Sequence, residues 1–369
     1  MDVPSRLGLT VEEFASLEDH LKRRTYEGTS YRFLPDYRSS LEKGTVIFED
    51  TIIRGFPKIP RTLVLETGIP RHFDERLVAE EKLNGYNVRI ARVEGDMFAF
   101  TRSGLICPFT TYVVEQMLEL DAFFDDHPAV ILCGEMIGPE NPYTAHHYPE
   151  VASLAFRAFD IRDRSSGEPY PVKERRGWCD DHDIPQTAYL GEFDLDTATD
   201  RLPSIIDELE REQREGVVLR DPDGSSPLKY TTSSANQGDL AFAYSLPFDY
   251  GQAFTFRRLI REAFQSHEWD EEGDERRERA QALGEAILLS MTDTIETVDD
   301  GERVGEQHTV RSDPEAIDRL LDHFVEQGLT IDIESDRHEN GQRVVTFTKR
   351  VQRTNDKIDA YLDGTIVDI

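Results

Sequence analysis

The chain has 369 residues, of which 38% are hydrophobic and 9% aromatic, enough for roughly two to four domains with packed cores. No apolar run approaches the about 18 residues that a membrane span requires, and the N-terminus lacks the basic and apolar segments of a signal peptide. We therefore expect a soluble cytoplasmic protein that binds no membrane. Cys107, Cys133 and Cys179 lie far apart and form no Cys-x-x-Cys pair, which argues against a disulfide framework or a structural zinc site.

Acidic residues predominate: Asp and Glu total 73, Lys and Arg total 42, and the formal net charge is −31. Proteins that bind polyanions usually carry basic patches, so this balance taken alone argues against nucleic acid as a partner. The acid is spread over the whole chain, however, and lysine is scarce among the basic residues. Abundant acid with scarce lysine suits a cytoplasm at molar salt, where surface repulsion is screened. We therefore expect a halophilic source. On this interpretation the net charge reflects the salt concentration of the habitat and says little about the binding partner.

The first segment, residues 1–78, is predicted to be a small mixed N-terminal module. Residues 11–24 have apolar side chains at helical spacing, which predicts a helix. Residues 46–48 and 63–65 are short apolar runs and are predicted to be strands.

From residue 79 to 245 the pattern changes to short apolar runs punctuated by turn residues. This punctuation is typical of antiparallel sheets joined by hairpins. The runs lie at 85–92, 97–101, 129–136, 154–161, 216–219 and 228–231, with helical patterns at 171–183 and 202–214. The predicted fold class of this domain is therefore α+β, with two or more sheets.

The last third of the chain begins with a helical pattern. Residues 246–306 contain two amphipathic helical patterns whose broad apolar faces suit either a dimer interface or a small helical bundle. Residues 307–369 are predicted to form a small α/β domain in the order helix, strand, turn, strand, helix.

The most informative peptide runs Glu80-Glu81-Lys82-Leu83-Asn84-Gly85-Tyr86-Asn87-Val88-Arg89. Its lysine precedes a glycine turn that leads into an alternating strand, so its amine can reach a ligand at the edge of a sheet. A lysine amine is a nucleophile only when neutral, so catalysis requires that its pKa be lowered by desolvation or by nearby cations. Taken alone, this peptide also fits a solvated lysine in a hairpin turn.

Further peptides follow in a fixed order: TRSG (101–104), LCGEMIG (132–138), FRAFDI (156–161), REGVVLR (214–220) and PLKY (227–230). Together with the lysine peptide they resemble the motifs of the covalent nucleotidyltransferase superfamily, which contains the ligases and the mRNA-capping enzymes. The form KLNGYNVR, the helical region and the α/β tail are similar to the archaeal ATP-dependent RNA ligases. The resemblance covers the whole chain and is most specific over 80–231.

The resemblance implies a role for each matching residue. Lys82 would attack the α-phosphorus of ATP and become lysyl-AMP, and Lys229 would contact the α-phosphate. Arg102 would contact the nucleotide and the polynucleotide end, and Phe159 would stack on adenine. Glu80, two residues before the nucleophile, would face the adenine amino group.

Other matching positions would surround the ribose, the phosphates and a metal ion. Asn84 stands where many relatives have Asp, and Asn87 and Arg89 match positions near the phosphates or ribose. Glu135 would hold the ribose or a metal, and Glu215 would bind metal. Carboxylates suit Mg²⁺ or Mn²⁺, which would neutralise charge on the transferring phosphoryl group.

The resemblance also implies the reaction and the assembly. AMP would pass from Lys82 to a 5′-phosphate RNA end, and a 3′-hydroxyl would then displace AMP to seal the strand. The enzyme would be a homodimer through residues near 246–305, and circularisation of single-stranded RNA is an expected outcome. Relatives often carry Lys-x-Lys in the last motif, whereas here the earlier position is Pro227, so a role for a second lysine is not expected.

Two other enzyme activities fit the same scaffold, namely a DNA ligase and a capping guanylyltransferase. A non-catalytic RNA-binding protein on a decayed ligase fold is a third alternative. Pro227 keeps it open, although the presence of Lys82, Glu135, Glu215 and Lys229 argues against it. The chain contains no Gly-x-x-x-x-Gly-Lys-Ser/Thr loop and no Gly-x-Ser-x-Gly elbow, so a P-loop nucleotidase and a serine hydrolase are excluded.

Overall fold

The computed structural model describes residues 3–38, 41–49 and 51–366. The N-terminal part contains α1 (Val3–Arg6), α2 (Val11–Glu18), β1 (Lys22–Tyr26), β2 (Thr29–Phe33), β3 (Val46–Ile47), β4 (Ile52–Ile53) and α3 (Leu65–His72). Strands β1 to β4 form an antiparallel sheet in sequence order. A capping box starts α2, because the Thr10 hydroxyl accepts from the Glu13 amide while the Glu13 carboxylate accepts from the Thr10 amide.

Two sequence predictions in this part are wrong. The helix predicted over 11–24 ends at residue 18, because β1 pairs with β2 across a turn in which Glu27 and Gly28 have positive φ. The strand predicted at 63–65 gives way to α3, which starts at Leu65. The carboxylate of Glu268 accepts from the first amides of α3, a partner about 200 residues away that no local pattern reveals.

The middle part carries two antiparallel four-stranded sheets, β7-β6-β8-β9 and β10-β5-β11-β12. Its elements are β5 (Arg76–Lys82), β6 (Tyr86–Val93), β7 (Asp96–Thr101), α4 (Pro108–Met117), α5 (Asp121–Asp126), β8 (Val130–Ile137), β9 (Ala155–Asp163), α6 (Val172–Asp181), β10 (Tyr189–Asp194), α7 (Leu195–Arg211), β11 (Gly216–Arg220) and β12 (Leu228–Thr231). The α+β fold class is confirmed. Strands β5 and β6 are consecutive but belong to different sheets, so the turn after Lys82 crosses from one sheet to the other.

The last part contains α8 (Ser233–Ser245), α9 (Gln252–Glu268), α10 (Gly273–Asp299), β13 (Gly305–Ser312), α11 (Pro314–Glu326), β14 (Ile331–Glu339), β15 (Gln342–Arg350) and α12 (Gln352–Leu362). The sequence analysis missed β13, whose mostly polar residues bury only His308 and Val310. The sheet β13-β15-β14 shares one hydrophobic core with the middle part, where Phe324 and Phe347 join the cluster that contains Phe109. None of the described helices is long and apolar enough to cross a membrane.

The division into units at 1–78, 79–245, 246–306 and 307–369 stays a prediction. The shared core shows that the C-terminal sheet packs directly against the domain that carries the lysine peptide.

Candidate active site

Lys82 is the last residue of β5, where this strand runs antiparallel to β11 and Lys82 lies opposite Gly216. Its amine forms an ion pair with the carboxylate of Glu215, the residue that precedes β11. Both side chains are largely buried, with 18% and 15% of their surfaces exposed. The amine is therefore held at the junction of the two central sheets.

A cavity of about 320 Å³ opens at this junction. Besides Lys82, it is lined by residues that the sequence analysis selected: Glu80, Asn87, Arg102, Glu135, Phe159 and Lys229. Residues that the sequence analysis did not select complete the lining: Phe56, Lys58, Ile59, Glu81, Leu83, Thr187, Val218 and Arg220. The two sheets and the segment before α3 thus converge on one pocket.

Lys229 lies in the second strand of the β11–β12 hairpin, which the segment before α3 covers. The Lys229 amide donates to the Pro60 carbonyl (3.0 Å), and the Thr62 amide donates to the Lys229 carbonyl (3.2 Å). Burial, together with the nearby cations Lys82 and Arg61, lowers the pKa of Lys229 to about 8. This excess of buried positive charge favours an anionic ligand.

Glu135 lies in β8 opposite Asn87 of β6. Its pKa is raised to about 8, mainly by burial and further by the nearby carboxylate of Glu215, while the Lys82 amine opposes the rise. The two acids therefore face the same amine from different sheets.

A divalent cation fits this pair of carboxylates. A cation between Glu135 and Glu215 would offset the repulsion that helps to raise the pKa of Glu135. Across residues 3–38, 41–49 and 51–366, no group of three or more His, Cys, Asp or Glu residues could hold a metal ion. The remaining ligands would have to be phosphate and water oxygens, a common arrangement for Mg²⁺.

Phe159 offers an aromatic wall to the cavity. It is half-buried and meets Phe56 edge to face, with ring centroids 5.3 Å apart and an interplanar angle of 79°. Both rings line the cavity, so a planar base has an aromatic surface on which to stack.

Glu80 lines the deep end of the cavity as part of a buried ionic cluster. Its carboxylate accepts from Arg175 and from Arg176 (3.0 Å), and the Nε of Arg220 lies 3.6 Å away. Because several guanidinium groups surround it, the carboxylate is fixed in place. Its predicted contact with the adenine amino group stays a prediction.

Arg89 and Asn84 do not line the cavity. The guanidinium of Arg89 is fully buried and donates to the carbonyl oxygens of Arg54 (2.6 Å), Gly44 (2.8 Å) and Thr101 (3.0 Å). It therefore fastens the N-terminal segment to the sheet and does not point at a nucleotide site. The backbone amide of Asn84 donates to the hydroxyl of Tyr148 (2.7 Å), a residue that does not line the cavity either.

Thr187 and Arg220 are site residues that the sequence analysis missed. Each has a buried polar atom that lacks a hydrogen-bond partner, Oγ1 in Thr187 and Nε in Arg220, as does Oδ1 of Asn87. All three residues line the cavity. The oxygen atoms of Thr187 and Asn87 are available to a bound ligand. The Arg220 guanidinium is instead ion-paired with Glu80 and Asp160. Arg220 is the last residue of the peptide REGVVLR, so its motif could have predicted it as a site residue. Thr187 lies in none of the motif peptides, so no local pattern indicated its position.

Comparison with known proteins agrees with this geometry. Residues 75–231 match the family model described as RNA ligase, and residues 242–365 match the one described as Ligase Pab1020 C-terminal region. A solved structure titled archaeal ATP-dependent RNA ligase, form 2, is 39% identical with a TM-score of 0.93, covering 99% of this chain and 98% of that chain. This chain belongs to the archaeal ATP-dependent RNA ligase family. The family and the RNA ligase activity expected from the sequence are thereby confirmed.

Other relatives of this RNA ligase extend the comparison. Form 1 of the archaeal enzyme is 40% identical with a TM-score of 0.92, covering 99% of this chain and 98% of that chain. An uncharacterized protein of Methanocaldococcus jannaschii is 41% identical over 375 residues, which cover 98% of this chain and 92% of that protein. A putative ATP-dependent DNA ligase from Aquifex aeolicus is 25% identical with a TM-score of 0.88, covering 97% of this chain and 99% of that chain.

Proposed function

We propose that this RNA ligase forms a covalent lysyl-AMP intermediate on Lys82. The observation that carries the proposal is the position of the Lys82 amine in a cavity that also holds the cation Lys229 and the aromatic ring of Phe159. The amine nitrogen forms a bond to the α-phosphorus of ATP while the bond to the bridging oxygen breaks and pyrophosphate leaves with the electron pair. Glu215, which contacts the amine, is placed to take its proton before the attack.

The nucleotide is bound by residues from both sheets. Phe159 stacks on adenine, Glu80 faces the adenine amino group, and Lys229 contacts the α-phosphate. The unpaired Oδ1 of Asn87 suits a ribose hydroxyl, and the exposed Arg102 suits a phosphate at the cavity mouth.

Glu135 and Glu215 would hold Mg²⁺ or Mn²⁺ together with phosphate and water oxygens. When bound, the metal supplies positive charge that neutralises the oxygens of the transferring phosphoryl group. The chain's own contribution at this point is to fix both carboxylates beside the Lys82 amine.

The sealing steps follow from the same intermediate. A 5′-phosphate oxygen of RNA attacks the phosphorus of lysyl-AMP and releases the Lys82 amine, which gives an adenylylated RNA end. A 3′-hydroxyl then attacks the 5′-phosphorus and releases AMP. When both ends belong to one single-stranded RNA, the product is a circle.

DNA ligation is a second candidate activity, since the putative ATP-dependent DNA ligase resembles this chain over its whole length. The two activities are separated by offering matched 5′-phosphorylated strands of RNA and DNA, single and as nicked duplexes. RNA ligation predicts sealing of the RNA strand. Sealing of nicked DNA without sealing of RNA would favour the alternative.

The proposed assembly is a homodimer through α9 and α10. These helices leave large apolar side chains exposed, at i, i+4 and i+8 in α9 and at i, i+1 and i+7 in α10: Phe256, Ile260, Phe264, Leu288, Leu289 and Ile295. Contiguous apolar faces of this kind mark association surfaces. Phe256 is 63% exposed and Leu288 is 62% exposed, so both side chains would remain in contact with water unless a partner covers the two helices.

The proposed setting is the cytoplasm of a halophile. The cysteines at 107, 133 and 179 are free and buried, which suits a reducing compartment, and ATP is available there. The acidic excess of the chain suits molar salt.

Mass spectrometry of the intact protein tests the proposal. After incubation with ATP and Mg²⁺, we expect a mass gain of one adenylyl group on the peptide that contains Lys82. Addition of 5′-phosphorylated RNA should remove this mass and yield sealed product. A protein that seals RNA without ever carrying the adenylyl group would contradict the covalent mechanism.

A further inference from the structure

The loop of residues 138–150 follows β8, which carries Glu135, and forms most of the connection to β9, which carries Phe159. Asn141 organises it: this side chain is fully buried, and its Nδ2 donates to the Met136 carbonyl (2.8 Å). Its Oδ1 accepts from the amides of Tyr143 (2.8 Å) and Thr144 (3.0 Å). The loop is therefore a defined structural element at the edge of the active site.

One end of this 138–150 loop holds the turn that follows the nucleophile. The Tyr148 hydroxyl accepts from the Asn84 amide (2.7 Å) and donates to the Asn84 carbonyl (3.4 Å). Its ring is 1% exposed and belongs to a small apolar cluster with Leu83 and Ile137. Tyr148 thus binds both backbone groups of a residue that lies two positions after Lys82.

Gly85 fixes the same turn from the opposite side. A Cβ atom at this position would lie 2.1 Å from the Met136 carbonyl oxygen, so only glycine allows the turn to approach β8 this closely. The same carbonyl accepts the hydrogen bond from Asn141. Movement of the 138–150 loop would therefore displace the contacts on both sides of the turn that follows Lys82.

The other end of the loop is bound by the C-terminal sheet. Three consecutive loop residues each contact one side chain of β13 or β15: Glu140 with Arg311 (3.1 Å), the Asn141 carbonyl with Nδ1 of His308 (3.1 Å), and the Pro142 carbonyl with Nζ of Lys349 (2.7 Å). The Lys349 amine also lies over the rings of Tyr143 and Phe324, at 5.2 and 5.3 Å from their centroids. The sheet therefore holds the loop through two backbone carbonyls and one carboxylate.

We propose that the C-terminal sheet positions the catalytic lysine through the 138–150 loop, with Tyr148 as the positioning residue. The proposal rests on the proposed lysyl-AMP chemistry. In-line attack requires the Lys82 amine to stay near its reactive geometry, and a misplacement of about 1 Å can cost about 100-fold in rate. Tyr148 does not line the cavity, so its effect should fall on the rate of the chemical step and not on ATP binding.

Tyr148→Phe tests the proposal because it removes the hydroxyl and keeps the ring. We expect the rate of lysyl-AMP formation at saturating ATP to fall about 10-fold, while KM for ATP changes less than about 2-fold. Tyr143→Phe is the matched control: it removes a buried hydroxyl of the same loop, one that contacts Cys107 Sγ (3.2 Å) and not the Lys82 turn. This control should keep the wild-type rate.

Lys349→Met probes the same connection from the C-terminal sheet. It removes the donor to the Pro142 carbonyl, and we expect a smaller fall in the same step with KM again unchanged. Sealing of RNA that is already adenylylated, which needs no attack by Lys82, should be nearly normal in both variants. If Tyr148→Phe does not fold, the rate of lysyl-AMP formation in Lys349→Met tests the proposal, and a wild-type rate would contradict it.

The outcomes are distinguishable. A wild-type protein that takes no AMP would contradict the proposed function itself. A wild-type protein that takes AMP, beside a Tyr148→Phe protein that takes it at the same rate, would overturn only the positioning role. An equal loss in Tyr143→Phe and Tyr148→Phe, or a rise in KM without a fall in rate, would overturn it as well.

Discussion

The amine of Lys82 is ion-paired with the carboxylate of Glu215, and the two residues come from paired ends of neighbouring strands. This contact brings the nucleophile and its nearest proton acceptor together before any ligand binds. It also means that the acid must exchange its contact with the ammonium for other partners as the reaction proceeds.

Replacement of this acid should therefore slow the first step. We expect Glu215→Gln to lower the rate of lysyl-AMP formation by about 100-fold or more, because the amide accepts no proton and binds metal poorly. Single-turnover labelling at saturating ATP measures this rate. Glu208→Gln, on the exposed face of α7, is the control and should react like wild type. A wild-type rate in Glu215→Gln would argue against its role.

The affinity for ATP should depend on the charge of Lys229. This amine has a pKa of about 8 in the free protein, so it is protonated below that pH and loses its charge above it. We expect ATP binding, measured calorimetrically without metal, to weaken as pH rises through about 8. Lys229→Arg stays charged and should weaken less.

Glu135 ionises over the same pH range, and its repulsion of ATP is common to both proteins. The difference between wild type and Lys229→Arg therefore isolates the lysine. Identical pH profiles in the two proteins would show that Lys229 does not govern binding.

His323 should make stability depend on pH. Burial in α11 lowers its pKa from 6.5 to about 4, so the folded state favours the neutral ring. Well above pH 6.5 the ring is neutral in both the folded and the unfolded state, so the free energy of unfolding is at its full value. As pH falls from 6.5 towards 4, the unfolded state takes up a proton that the folded state does not, and the free energy of unfolding falls. Between about pH 7.5 and about pH 5, this histidine should lower the free energy of unfolding by about 2 kcal/mol.

Urea unfolding of wild type and His323→Gln at both pH values measures this effect. Protonation of the many carboxylates is common to both proteins. The contribution of His323 is therefore the difference between their losses of stability on acidification. We expect the wild type to lose more stability than the variant on acidification. An equal loss of stability in the two proteins would show that groups other than His323 cause the pH dependence.

Charges on the apolar face of α10 should separate the proposed dimer. We expect the double substitution Leu288→Glu and Leu289→Glu to give a monomer by light scattering, since two leucines that the dimer would bury are replaced by unpaired carboxylates. Glu285→Gln on the same helix should remain dimeric. A monomeric wild type at the same concentration would contradict the assembly.

Activity should survive or require molar KCl. Counterion release contributes little to RNA affinity at such salt, so binding would depend on stacking, specific arginines and the metal. Ligation assayed across a KCl series measures this dependence. An optimum at low salt, with inactivation above it, would contradict the halophilic setting.

Local patterns in the sequence predicted most of the strands that carry the site, including β8 and β12. They did not predict β5, the strand that ends at Lys82. The hairpin of β6 and β7 turns at Glu94 and Gly95, both with positive φ, and this turn chemistry is visible in the sequence. Helix α3 was not predictable in this way, because the carboxylate that caps it comes from Glu268.

The same distinction holds within the site. Lys82, Glu135 and Lys229 lie in recognisable peptides, and the structure brings them together. Thr187 reaches the cavity because its amide bonds to the Ala158 carbonyl, a contact between distant segments. Arg89 lies in the most informative peptide, yet its partners are carbonyls of the N-terminal segment and of Thr101, which only the tertiary structure supplies.

The most direct test of the central claim is label transfer from α-labelled ATP in the presence of Mg²⁺, with wild type beside Lys82→Arg. Arginine keeps the positive charge that pairs with Glu215 but cannot lose a proton to become a nucleophile. Lys22→Arg, on the exposed strand β1, controls for the substitution itself. We predict covalent label on wild type and Lys22→Arg and none on Lys82→Arg; label retained by Lys82→Arg would contradict the assignment of the nucleophile.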